Sequence, residues 1–192
     1  MKALAYDAVM VPLGWLGLTA ARRKLVRGLA GRVLEVGTGT GLALPGYPDT
    51  VTSLTAIDVD AEALERARLR HPDAEVVHAS VEDLPFPDAS FDAVVSSLVF
   101  CSVEAPARAL TEVFRVLRPG GELRMLEHVR APSAGLATAQ DLLTPAWKRL
   151  TGGCRLNRDT YFLVQQAGFD GVQRVQRLQG MSELIIARRP TG

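Results

Sequence analysis

At 192 residues, with 47% apolar and 22% charged residues, the chain has the size and balance of one globular domain with a sizeable core. Two cysteines, Cys101 and Cys154, exclude a disulfide framework and favour a reducing, cytoplasmic setting, and no apolar run approaches the roughly 20 residues that span a bilayer. The net charge of +1 conceals +5 over residues 1–32, −9 over 33–123 and +5 over 124–192, without the dense basic run and interleaved aromatics of a nucleic-acid binder.

The N-terminal stretch MKALAYDAVMVPLGWLGLTAARRK places its basic cluster after its apolar run, the reverse of a secretory signal. Residues 18–30 read as an amphipathic helix, with Leu18, Ala21, Leu25 and Leu29 on one face. A short buried strand follows at 32–37, a second at 51–58, then a helix capped by Asp60 that runs to about Arg70. Strands are expected at 74–79 and 91–97, and a helix from Glu104 to Arg118, ended by Pro119-Gly120-Gly121. Residues 121–129 form the fifth strand, and 136–150 and 157–168 two more helices. Segments 171–178 and 182–187 are strands joined by a turn at Gln179 to Met181, too short for anything but antiparallel neighbours. The result is an α/β fold: one sheet, parallel until a final antiparallel strand.

Strand one runs into glycines at alternate positions, Gly37, Gly39 and Gly41. A P-loop is excluded, because no lysine occurs between Lys24 and Lys148. A dinucleotide fingerprint fails in both registers, where Leu42 and Leu44 stand in place of its third glycine. What remains is E-x-G-x-G-x-G, with Glu35 in the strand: bare backbone beside an acid, suited to a ligand that is cationic and not phosphorylated. Asp58 closes strand two, where an acid accepts hydrogen bonds from ribose hydroxyls. A nucleoside carrying positive charge and no phosphate describes S-adenosylmethionine.

VLEVGTGTG, AIDVD, ASVEDLPFPDASFDAVVSSLVFCSV and RVLRPGGELRMLEHV resemble the successive motifs of class I S-adenosylmethionine-dependent methyltransferases. The C-terminal DLLTPAWKRLTGGCRLNRDTYFLVQQAGF, with LVFCSV and LEHV, resembles the branch that includes microsomal alkyl thiol methyltransferases. The resemblance implies a single-domain Rossmann-like sheet with helices on both faces, spanning 31–192 behind an N-terminal segment of 1–30. It further implies that Glu35 and the Gly37-Thr38-Gly39 backbone hold the amino-acid end of the cofactor, Asp58 its ribose and Val59 one adenine face. Ser80, Val81 and Glu82 would meet the adenine edge, and Ser97 and Leu98 would line the methionine and sulfonium. Many members carry an acid where Ser80 stands, so Ser80 or Glu82 must serve the adenine amino group.

The implied reaction is in-line displacement of methyl from sulfonium to a nucleophile. The leaving group is good enough to need no metal, and the histidines (His71, His78, His128) and cysteines show no ligand spacing along the chain. His128, at the carboxyl end of strand five beside Glu127, is the expected general base; His78 and His71 read as structural. Cys101, Trp147, Tyr6 and Trp15 are the expected acceptor contacts, with Cys154 a weaker one. The N-terminal apolar run followed by Arg22-Arg23-Lys24 reads as packing on the sheet, as a lid, or as a peripheral membrane contact. The expected acceptor is small and lipophilic, a thiol first; a lipid amine, a quinone precursor, or a cofactor-binding protein without turnover are the alternatives.

Overall fold

The computed structural model describes residues 18–151, 153–177 and 181–192. The expected N-terminal lid, with Tyr6 and Trp15, and most of the turn before Met181 lie outside the described residues. The elements in order are α1 (Thr19–Val26), β1 (Gly31–Val36), a single 3₁₀ turn (Leu44–Gly46), β2 (Val51–Asp58), α2 (Ala61–Arg70) and β3 (Glu75–His78). Then come β4 (Phe91–Ser97), α3 (Pro106–Val116), β5 (Leu117–His128), α4 (Ala134–Thr151), α5 (Thr160–Gln166), β6 (Asp170–Arg177) and β7 (Ser182–Arg188).

Seven strands form one sheet in the order β3-β2-β1-β4-β5-β7-β6. The first five are parallel, and β7 runs antiparallel to both its neighbours, as the short β6–β7 connection requires. Strand order reverses between β1 and β4, which opens a crevice at their carboxyl ends. Alternation along β1 sends Val33 to a core shared with Leu25 and Ala67 of α1 and α2, and Leu34 and Val36 to one shared with Leu110 and Val113 of α3. Ala21, Leu25 and Val26 are buried, so the described part of the N-terminal segment is sheet-covering core. Asp60 caps α2 as the sequence implies, accepting from the amides of Glu62 and Ala63.

Two boundaries differ from the sequence reading by four residues, more than the rest. α1 stops at Val26 rather than at residue 30, because Arg27 is extended and Gly28 has φ +72°. β5 begins at Leu117 rather than at 121: Leu117 pairs with Phe91, an irregularity in the β4 register absorbs the Pro-Gly turn, and the Gly120 amide bonds Arg189 O. The sequence signal that ends the helix is therefore carried inside the strand.

Candidate functional site

A cavity of about 400 Å³ opens at the carboxyl ends of β1, β2, β3 and β4, within the size range of small-ligand sites. Gly37 and Gly39 from the β1 loop form its floor with φ of +64° and +56°, a conformation that glycine adopts without strain. A Cβ on Gly37 would lie 2.3 Å from Val99 Cγ2, so the backbone is bare there because β1 and the β4 loop meet closely. A Cβ on Gly41 would lie 2.8 Å from Ala67 Cα, so the third glycine serves the packing of α2.

Asp58 lines the cavity at the tip of β2. Its Oδ2 accepts from the Gly39 amide at 2.7 Å and its Oδ1 from the Asp60 amide at 2.9 Å. Both oxygens keep a further lone pair for a diol. Val59 beside it is 67% exposed, an open apolar face at the place expected for the adenine. Ser80, Val81 and Glu82 line the far side. The Glu82 amide donates to Ser80 Oγ, and Glu82 Oε1 accepts from the Ala105 amide at the start of α3, which fixes this turn. Ser97 and Leu98 line the β4 end, where Leu98 has φ +61°, a strained value for a branched side chain, held by its amide bond to Leu126 O.

Glu35 and Thr38 sit behind this wall rather than in it. Thr38 Oγ1 and Tyr47 Oη donate to the two Glu35 carboxylate oxygens at 2.7 and 2.6 Å, and Glu35 is buried. Burial pushes the Glu35 carboxyl above its usual range against the pull of those two donors, and burial followed by the Glu35 charge pushes the Tyr47 phenol up. The pair brace the glycine loop from inside. The Thr38 amide is spent on Ile57 O, so the loop is sewn to β2 as well as to Asp58. His78, expected to lie away from the site, holds the Val59 carbonyl at 3.0 Å through Nε2.

Sequence reasoning did not reveal Arg22, whose buried side chain comes from α1 to donate Nε to Ser97 Oγ at 3.2 Å. Nor did it reveal Ser102, Glu104 and Thr151 on the cavity's outer wall. Glu127 was expected to orient His128 or raise its pKa; its charge does help raise the His128 pKa, but its carboxylate oxygens are bonded elsewhere. It accepts from Ser96 Oγ at 2.7 Å and from the amides of Val99 and Cys101 at 3.2 Å, and burial raises its pKa. These ties share no local motif, which is why the sequence did not display them.

Of the expected acceptor-side residues, Tyr6 and Trp15 lie outside the described residues, while Cys101, His128 and Cys154 come together beside the cavity. Cys154 Sγ lies 3.5 Å from Cys101 Sγ and 3.5 Å from His128 Nδ1, and Trp147 stands close to Cys154. The hydrogen bond between Cys101 and Cys154 is the largest influence on both thiols, holding Cys154 below its usual range and raising Cys101. Burial pulls the His128 imidazole down, and the bond with Cys154 outweighs it with help from the Cys154 and Glu127 charges, so its pKa stands above the ordinary value.

The arrangement can hold a nucleoside on Asp58 and Val59, press an amino-acid moiety against bare backbone, and present a small group near Leu98. These features fit S-adenosylmethionine, and the comparisons agree. The family described as a methyltransferase domain matches residues 34–125. Over 182 residues the chain is 36% identical to the human (Homo sapiens) thiol S-methyltransferase TMT1B, a match covering 86% of this chain and 74% of that protein. It is 39% identical over 124 residues to a phosphatidylethanolamine N-methyltransferase of Cereibacter sphaeroides, covering 62% of this chain and 61% of that one. Among solved structures, an S-adenosylmethionine-dependent methyltransferase from Mesorhizobium loti superposes with a TM-score of 0.69 at 21% identity, covering 88% of this chain and 96% of that one.

Proposed function

The chain belongs to the class I S-adenosylmethionine-dependent methyltransferases, and we propose that it methylates the sulfur of a small lipophilic thiol. One observation carries the choice of acceptor. The 86% of the chain that matches the thiol S-methyltransferase necessarily reaches beyond residues 34–125, into the segments that build the acceptor side. A phospholipid methyltransferase matches a smaller share, 62% of the chain. Trp147, Leu142 and Leu143 are exposed apolar side chains on α4, the helix whose Thr151 lines the cavity.

S-adenosylmethionine supplies a methyl group made electrophilic by the sulfonium. The chain's part is placement. Asp58 and the glycine backbone fix the nucleoside and amino-acid ends, and Ser97 and Leu98 form the wall where the methyl is offered. Alignment of this kind supplies on the order of 7–11 kcal/mol in favourable cases. The braces Glu35, Tyr47 and Glu127 matter because they hold this geometry before any ligand arrives.

A homologous series of alkanethiols tests the reading. Each methylene buried in an apolar approach contributes about 0.8 kcal/mol, so kcat/KM should rise about threefold to fourfold per carbon until the groove is filled. A flat series, or turnover on amines alone, would contradict it.

A further inference from the structure

Cys101 lies in the loop after β4, His128 ends β5 and Cys154 follows α4, yet one atom from each lies within 4.8 Å of the other two. Two sulfurs and an imidazole packed together can be a chance hydrogen-bonded cluster. The surrounding clamps speak against chance, because each segment that carries a donor is tied down. The Cys101 amide is held by Glu127 and its carbonyl by the Arg155 amide, one residue past Cys154. Buried Arg158 donates Nη1 to the carbonyls of Phe100 and Val103. Buried Gln140 joins Val129 O, next to His128, to Leu156 O, two residues past Cys154.

We infer that Cys101, His128 and Cys154 form a Cys₂His site for a thiophilic d¹⁰ cation, Zn²⁺, at the acceptor side of the cavity. Zinc bonds to sulfur at about 2.3 Å and to imidazole nitrogen at about 2.0–2.1 Å, so tetrahedral ligands stand about 3.8 Å apart for two sulfurs and about 3.5 Å for sulfur and nitrogen. The two separations from Cys154, 3.5 Å to Cys101 and 3.5 Å to His128, need adjustments of only a few tenths of an ångström, while Cys101 Sγ and the His128 ring nitrogen, within 4.8 Å of each other, must close by up to about 1.3 Å. A disulfide, in contrast, needs the sulfurs at about 2.05 Å, and each cysteine segment is clamped. Paired thiolates select a soft or borderline ion over Mg²⁺ or Ca²⁺. The ring expected from sequence to take a proton becomes a ligand instead.

Three protein ligands leave the fourth position that substrate-binding zinc sites keep open. The site borders the cavity: Ser102 lines it, and Ser102 Oγ is 3.7 Å from Cys101 Sγ. Resting on the thiol reading above, the fourth ligand is the acceptor sulfur. The acceptor thiol gives its proton to solvent on coordination, as a metal-bound thiol does. The thiolate's lone pair then forms the bond to the methyl carbon, the carbon–sulfonium bond breaks, and its electron pair stays on the sulfur of S-adenosylhomocysteine. The uncharged thioether, a weak ligand, leaves. Zinc is absent from the leaving-group chemistry, so a good leaving group and a metal-assisted nucleophile are compatible.

The test uses the full chain, reduced and then loaded with Zn²⁺ or Co²⁺. One zinc per chain is expected by elemental analysis. With Co²⁺, the spectrum should show thiolate-to-cobalt charge transfer and the intense d–d bands of a tetrahedral site. Cys101→Ser, Cys154→Ser and His128→Gln should each weaken metal binding by on the order of 10²-fold. Unchanged S-adenosylhomocysteine affinity in these variants shows that they are folded. A benzyl thiol probe should shift the d–d bands at one equivalent. No metal uptake by the reduced chain would overturn the site, and thiol methylation that persists in the chelator-treated protein would then leave the proposed function standing. Cobalt bands indifferent to thiols would overturn the metal's part in the transfer. Methylation of amines alone, with metal bound, would instead strike the thiol reading.

Discussion

Asp58 serves two roles with one carboxylate. It accepts from the Gly39 and Asp60 amides, so it shapes the glycine loop and caps the turn into α2, while its remaining lone pairs face the cavity. Asp58→Asn keeps the shape and turns an amide NH₂ toward a backbone amide that is itself a donor. S-adenosylhomocysteine binding should weaken by about 1.5–3 kcal/mol, the range for hydrogen bonds to a charged group. Calorimetry giving unchanged affinity in a folded variant would remove Asp58 from the ribose site. Its place at the cavity was legible in the sequence because an acid at a strand end, near a glycine turn, is a local pattern. Arg22, Tyr47 and the Cys101–Cys154 pair were not, because each acts through a partner 12 or more residues away. No periodicity encodes such a meeting.

Between β3 and α3, the segment LPFPDAS shows how an element can be fixed from outside. Arg115 of α3 donates to Leu84 O and Phe86 O and pairs with Asp88, while Glu112 accepts from Arg115 and from the Leu84 amide. The Arg115 side chain holds the Glu112 carboxyl down to about 2, below the ordinary glutamate value of about 4.3. A carboxyl depressed in the folded state contributes stability above its unfolded pKa and loses it as pH falls through its folded one. Urea midpoints should therefore decline between about pH 4.5 and 2, and Glu112→Gln should remove on the order of 2 kcal/mol of that decline after allowance for solvent screening. An unchanged acid limb in the variant would mean that the ion pair is not what holds the loop. Turn residues announced this segment in the sequence; the helix residues that pin it carried no such signal. The same division explains β5, whose Pro-Gly turn was legible while the pairing of Leu117 with Phe91, which starts the strand early, depends on tertiary contact.

Over the whole molecule, the alternation of strands and helices was enough to imply the sheet, since parallel neighbours need a crossover and the β6–β7 connection does not. The order of strands, and with it the crevice between β1 and β4, comes from packing on both faces. The charge asymmetry of the sequence finds a place here: both basic flanks reach the cavity, Arg22 at Ser97 and Arg155 and Lys148 within 3.9 Å of Glu104. They meet hydroxyl and carboxylate groups of the acidic central segment, so the asymmetry joins the flanks to the site as much as it invites an anionic acceptor. Among the described residues no helix is long and apolar enough to cross a membrane. The most direct measurement of the central claim offers the enzyme S-adenosylmethionine bearing a trideuterated methyl group, together with a lipophilic thiol, phosphatidylethanolamine vesicles and a quinone precursor in one mixture. Mass spectrometry of the products should find the label on thiol sulfur with S-adenosylhomocysteine formed in equal amount. Label on the lipid amine or the quinone carbon, with the thiol unmarked, would contradict the account.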